Sequence, residues 1–400
     1  MSVKWLHASR AITGDGKTVL TPAWIGIEQG KIKNASDQTP PDANSKNTMD
    51  LGDATLCPGL FNLHDHICRK YLRDTKSSLS FSQRAKLFMQ EDTHYLLLHS
   101  VCNARNAMLR EGITYIRDFG LAGHSSIHLR RAISEGLIVG PEISACGYPI
   151  CMTGGHTYRQ AREADGPENI RAAVRFELRA GADCIKFMAS GGLEHFPLED
   201  PRICEFTELE LRVGVETAHD AEVSTSAHAY PVKAILNAVR AGIDIIEHGV
   251  LMDGPCIEEM IKRSTCLVPT LTGLRGVAKF LPETPEGLAT RQALEERIYT
   301  PHEKSVRRAI RSGIPVGTGT DTSGILREEI QSIARIMEYT PVQALAHATS
   351  ISAKIARRED LGLLEEGRRA HIVAFRGDLT KSFDALKEVL HVWKYGQLCQ

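Results

Sequence analysis

Apolar positions in this chain fall into short runs that alternate with longer amphipathic stretches. Eight runs read as buried strands: TLCPGLFNLH, GITYIRDFG, PEISACGY, CIKFMAS, VSTSAH, DIIEHG, CLVPTL and IPVGTGTD. Helical stretches such as NIRAAVRFELRAG, ELELRVGVETAHDA and VKAILNAVRAG lie between them, and Gly112, Gly136, Gly181, Gly242 and Gly313 stand where helices would stop. Alternation of strand and helix requires parallel pairing, and eight such strands is the number that closes a barrel. The two ends of the chain read differently. Short β-like segments occupy Val3 to Leu56, interrupted by a turn-forming polar tract from Asp37 to Asn47, and similar segments return in GLLEEGRRAHIVAFRGD and EVLHVWKYGQLC. The expected fold is α/β: a (β/α)8 TIM barrel over residues 58–358, with a small composite β-sandwich domain formed by the N- and C-terminal segments, residues 1–57 plus 359–400.

Composition narrows the class. At 400 residues, 42% hydrophobic and 24% charged, the chain has the make-up of a soluble globular protein rather than a disordered one. A formal net charge of −1 gives no electrostatic reason to expect nucleic acid or an anionic membrane as partner. No segment is apolar for the length of a membrane span, and Met1 to Gly14 lacks the apolar core of a signal peptide. The ten cysteines are scattered without a CxxC, and Cys146, Cys184 and Cys266 sit inside strand-like runs, where a thiol is a small core residue. A reduced, cytoplasmic protein is expected.

Several of the strand-like runs end in groups that bind metals. His64 and His66 stand two apart, so on a strand they face the same way while Asp65 faces the other. Lys186 lies in an otherwise apolar run. Burial is costly for an ammonium and favours the neutral amine; a neutral amine near cations can react with CO₂ to give a carbamate whose two oxygens bridge two ions. His228 and His248 end consecutive strands, and Asp321 follows VGTGT. A lone strand-end histidine is most simply a hydrogen-bonded core group, and a lone lysine can reach water along its stem. Together they form a nitrogen and oxygen donor set suited to Zn²⁺ or a similar borderline metal. The count suits two divalent ions, with His64, His66 and Asp321 on one and His228 and His248 on the other. The carbamate on Lys186 and a hydroxide would lie between them.

These positions together resemble the amidohydrolase superfamily across essentially the whole chain. TGGH (Thr153 to His156), IKFMASGG, SAHAY and EHG are similar to the imidazolonepropionase-related branch of metal-dependent prolidases and dipeptide carboxypeptidases, and GLLEEGRRAHIVAF resembles its closing strand. The resemblance implies that Asp321 takes a proton from the attacking hydroxide and passes it to the leaving amine. It also implies that Tyr230 binds a substrate carboxylate and that His156 holds the tetrahedral intermediate. Apart from the resemblance, Arg159 is a further candidate for the carboxylate because it lies just beyond His156. Thr157, Thr322 and His371 depart from the branch's pattern.

The expected function is binuclear hydrolysis of an amide bond next to a free carboxylate, in a dipeptide or N-acyl amino acid. Alternatives are the same site acting on an aryl amide toxin or pesticide, a phosphotriester or a lactone, or a mononuclear deaminase or cyclic amidohydrolase. The acidic segment Glu194 to Asp200 could face a basic substrate side chain or simply be solvated. A small-molecule substrate with a carboxylate and a homo-oligomeric state complete the expectation.

Overall fold

The structure is a computed structural model that describes residues 3–69, 83, 87–88, 90–120, 123–193 and 200–399. Two sheets of parallel strands carry the central region. Leu60–Asp65, Ile113–Asp118 and Glu142–Ala145 pair in a three-stranded sheet. Cys184–Met188, Ser224–Ala229, Ile245–His248 and Cys266–Val268 pair in a six-stranded sheet, whose other edge holds the short strands Ile150–Cys151 and Arg162–Glu163. The sheets also meet each other. Asp183 N donates to Ala145 O (2.8 Å) on one side. On the other, residues 315–320 run between Cys266–Val268 and Leu60–Asp65, with Gly317 N on Leu267 O (2.9 Å) and Leu63 N on Thr318 O (2.8 Å). This is a TIM-barrel-type α/β arrangement, with helices packed outside the strands.

The helices follow from their pattern. On Val232–Ala241 the buried positions Ala234, Ile235, Ala238 and Val239 form one stripe. That stripe joins a core with Ile185, Phe187, Ala227 and Ile246 of the neighbouring strands. Because strand side chains alternate, Lys186, Ser226, His228 and Glu247 point away from that layer, into the space the strands enclose. Burial on both faces explains why these strands read as continuous apolar runs.

Two of the eight sequence-predicted strands differ in the structure. TLCPGLFNLH is two strands that break at Gly59. Ala54–Pro58 pairs antiparallel with Ile372–Arg376, whereas Leu60–Asp65 pairs with Ile113–Asp118. Only glycine fits at the break, since a Cβ there would lie 2.1 Å from Thr114 Oγ1. IPVGTGTD makes isolated bridges, Leu267 with Val316 and Asp65 with Asp321, rather than a continuous strand. Here the backbone approaches the first strand too closely for side chains. A Cβ on Gly317 would meet Leu63, and one on Gly319 would meet the Cβ of His64 at 2.7 Å.

The chain ends build two further sheets. One is four-stranded and contains Lys4–Ala8 and Ala23–Glu28; the other is six-stranded and contains Ala54–Pro58, Ile372–Arg376 and Val389–Lys394. Leu6, Ile25, Leu56, Ile372 and Trp393 of both share one apolar core. Between the strands, Asp37 to Asn47 forms turns, as its composition predicts. Among the described residues no helix is long and apolar enough to cross a membrane.

Candidate active site

The predicted ligand residues come together at the carboxyl ends of the strands. His64 and His66 have ring centroids 5.4 Å apart, and both turn toward Asp321. His66 Nε2 lies 3.4 Å and His64 Nε2 3.9 Å from Asp321 Oδ1. Ligand atoms of these three side chains all fall within 4.8 Å of one another, which is a spacing that can hold a metal ion. His228 packs against them edge-on to His248 (4.6 Å), and His248 is 5.0 Å from His64.

Local backbone explains how some of these groups arrive. Alternation along Ile245–His248 directs Glu247 inward and would send His248 outward. His248 instead sits at φ 67° and Asp321 at φ 53°, the left-handed region that residues with a Cβ rarely adopt. Backbone strain of this kind persists where the surrounding structure fixes it, commonly at functional sites.

Burial controls the charges. It pushes the imidazoles of His228 and His248 well below the ordinary histidine range, and His64 down to about 4. All three are therefore neutral donors near pH 7, the form in which imidazole binds a metal. Burial also lowers Lys186 to about 8, although the carboxylates of Glu247 and Asp321 pull the other way. Its Nζ has no hydrogen-bond partner among the described residues and lies 4.1 Å over the ring of Phe119. A buried amine left unpaired among histidines and an aspartate fits a site built for a further group.

Sequence reasoning missed the groups that hold the histidines. Glu247 is fully buried, and its carboxylate accepts from His64 Nδ1 (2.7 Å), Ser226 Oγ (2.5 Å) and Arg117 Nη2 (3.2 Å). Burial alone would raise Glu247, but His64, Lys186 and Arg117 together hold it down at about 2. With Nδ1 so engaged, His64 presents Nε2 to the site. His248 Nδ1 is fixed in the same way by Thr270 Oγ1 (2.6 Å). The available signal was a charged residue inside an apolar run, as in DIIEHG and GITYIRDFG.

Four of the remaining candidates, His156, Thr157, Tyr230 and Thr322, line the same solvent-open cavity as this cluster. His156 stacks on His228 (4.4 Å, 29°), and Tyr230 stacks on it too (4.6 Å, 24°). Thr157, at φ 57°, and Thr322, whose N–H donates to Asp321 Oδ1 (2.7 Å), also line it. Arg159 does not. It folds onto Tyr158, with Nε 2.9 Å from the phenol oxygen. Of the acidic segment Glu194 to Asp200, residues 194–199 lie outside the described residues, and Asp200 pairs with Arg202 (2.8 Å). His371 is remote from the cavity, buried against Tyr395 (4.7 Å).

The chain belongs to the Amidohydrolase family, whose sequence pattern it matches over residues 55–399. It is therefore a hydrolytic enzyme acting on C–N bonds, and its relatives indicate amide bonds. It is 29% identical to an ochratoxinase of Aspergillus niger over 98% of this chain and 86% of that protein. Among solved structures it is similar to a Xaa-Pro dipeptidase with methionine in the active site (TM-score 0.86, 26% identity, all of both chains covered). A prolidase complexed with N-methylphosphonate-L-proline superposes with TM-score 0.84 at 26% identity, again over the whole of both chains.

Proposed function

We propose that this enzyme is a binuclear metal-dependent hydrolase that cleaves an amide bond next to a free carboxylate, in an N-acyl amino acid or a dipeptide. The observation that carries the reading is the unpaired, fully buried amine of Lys186 among three imidazoles and Asp321. His64, His66 and Asp321 would hold one cation and His228 and His248 the other. The lysine amine would add to CO₂ and lose a proton, giving a carbamate that bridges both. Zn²⁺ suits this donor set. Bound cations lower the pKa of a shared water and polarise the substrate carbonyl.

The protein's own groups would do the rest. Asp321 is held well below the usual carboxylate range, His66 and His64 outweighing its burial, so it is ionised and can accept a proton. It would pass that proton to the leaving amine, a relay that typically contributes about 10²–10⁴-fold. Tyr230 and His156 flank His228 and would bind the substrate carboxylate and the tetrahedral intermediate. The likeness to a Xaa-Pro dipeptidase and a prolidase supports a substrate that ends in an amino acid. Leu193, Leu274 and Val277 of the cavity wall favour a large apolar acyl half, and the likeness to an ochratoxinase supports including aryl amides.

The same reading divides the chain into a closed eight-stranded barrel over residues 58–358 and a composite β-sandwich of residues 1–57 plus 359–400. The ten free cysteines suit a reduced, cytoplasmic compartment, and a homo-oligomer is the common state for such barrels.

The deciding experiment is a screen of Xaa-Pro dipeptides, N-acyl amino acids and aryl amides against phosphotriesters and lactones, with metal content measured on the same sample. Hydrolysis of the carboxylate-bearing amides with close to two ions per chain is expected. A preference for phosphotriesters or lactones, or a single ion per chain, would overturn the assignment.

A further inference from the structure

Main-chain N–H groups of the loop that carries His156 are taken by acidic side chains. Thr153 N donates to Asp165 (3.0 Å), Gly154 N to Glu163 (2.7 Å) and His156 N to Glu205 (2.7 Å). Glu163 ends the short strand Arg162–Glu163 that follows this loop, Asp165 lies just beyond it, and both are exposed. Glu205 arrives from elsewhere. Its own N–H donates to Ala189 O (2.9 Å), and Cys204 bridges to Ser190, so it is anchored just beyond the strand that carries Lys186. Glu205 therefore ties the end of the Lys186 strand to the loop that presents His156.

Two glycines make room for this contact. A Cβ on Gly155 would stand 2.4 Å from Glu205 Oε2, and one on Gly192 would stand 2.3 Å from His156 Cε1. The His156 imidazole thus lies between the backbone of Gly192 and the ring of His228. The segment preceding it is Thr-Gly-Gly, which has high intrinsic backbone freedom. A hydrogen bond to a carboxylate is roughly twice as strong as a neutral one, and this one grips the residue whose ring must be aimed.

We propose that Glu205 is the positioning residue for His156. Its carboxylate fixes the main chain from which the imidazole reaches the cavity beside His228. The inference rests on the role given to His156 above.

The test compares H156A, E205A, E205Q, E205D and the double variant H156A/E205A. The full chain is supplied with divalent metal and assayed on the substrate that wild type turns over fastest in the screen. E205A is expected to lower kcat about 10–100-fold, the scale of a misplaced group, with KM nearly unchanged. E205Q still offers an oxygen to the His156 N–H and recovers most of the rate. E205D keeps the charge but withdraws the oxygen by one methylene, and behaves like E205A. The double variant is no slower than H156A, because two groups that act as one unit are not additive. Independently of substrate, amide hydrogen exchange across 153–157 rises in E205A and not in E205Q.

Wild-type kcat in E205A, or a double variant slowed by the product of both single effects, overturns the proposal. If H156A itself keeps wild-type kcat, the role of His156 falls and that of Glu205 with it. If H156A is impaired while E205A is not, only the positioning role falls.

Discussion

Lys186 and Glu247 face the same interior, and each makes a different demand on it. The amine is fully buried, has no hydrogen-bond partner among the described residues, and is held at about 8 by burial. Removing it takes away the proposed bridge but leaves the histidines in place. Lys186→Ala is therefore expected to abolish hydrolysis, with partial recovery when acetate or propionate is added at millimolar concentration. Undiminished activity in that variant would sink the carbamate. Glu247 instead joins His64 to the Arg117 guanidinium in a volume closed to water. Substituting Gln there should weaken metal affinity by about 10–100-fold, the usual cost of losing a partner that orients a ligand histidine. Substituting Ala leaves Arg117 buried and unpaired, and should cost about 3–5 kcal/mol in urea unfolding. Metal titration and denaturation curves read the two effects separately. His64, Lys186 and Asp321 could be recognised as single letters in their runs, but the bond from Glu247 to His64 spans 183 residues and left no local pattern.

Elements are joined by comparable buried contacts. The helix Leu326–Met337 carries Glu329, whose carboxylate accepts from Leu271 N (2.9 Å), Thr272 N (2.8 Å) and Thr272 Oγ1 (3.0 Å) at the start of the helix Leu271–Val277. Burial nonetheless pushes Glu329 up to about 7, against its ordinary 4.5. Between those values the folded chain keeps a proton that the unfolded chain releases, so folding stability falls as pH rises through the window. It stays lower above pH 7. At 1.36 kcal/mol per unit, the loss is about 2.5 kcal/mol between pH 5 and pH 8. Glu329→Gln removes the titration, and the difference in unfolding free energy between wild type and variant should shift in favour of the variant as pH rises. A difference independent of pH would show that Glu329 is ionised throughout. Amphipathic stripes made helices such as Pro167–Ala180 and Val232–Ala241 readable in the sequence. The split at Gly59 and the loose eighth run were not readable, because each depends on how closely a residue distant in sequence approaches.

At the scale of the whole molecule, the proposed ions draw ligands from distant parts of the chain and should couple to global stability. A ligand that binds only the folded state adds about 2.7 kcal/mol at a hundredfold excess over its Kd. Chelation followed by dialysis should lower Tm by several degrees and remove activity, and stoichiometric Zn²⁺ should restore both; a Tm indifferent to chelation would argue against bound ions. The sequence alone determined the alternation of strand and helix and the candidate donor residues at the strand ends, because period and residue type are local properties. It did not determine which side chains would turn Nε2 of His64 toward Asp321, why His248 points inward, or what grips the His156 loop. Those depend on a left-handed residue at a strand end, on a carboxylate contributed by another strand, and on glycines that allow close approach. Only the folded chain decides them, since contacts between residues far apart in sequence are set by packing.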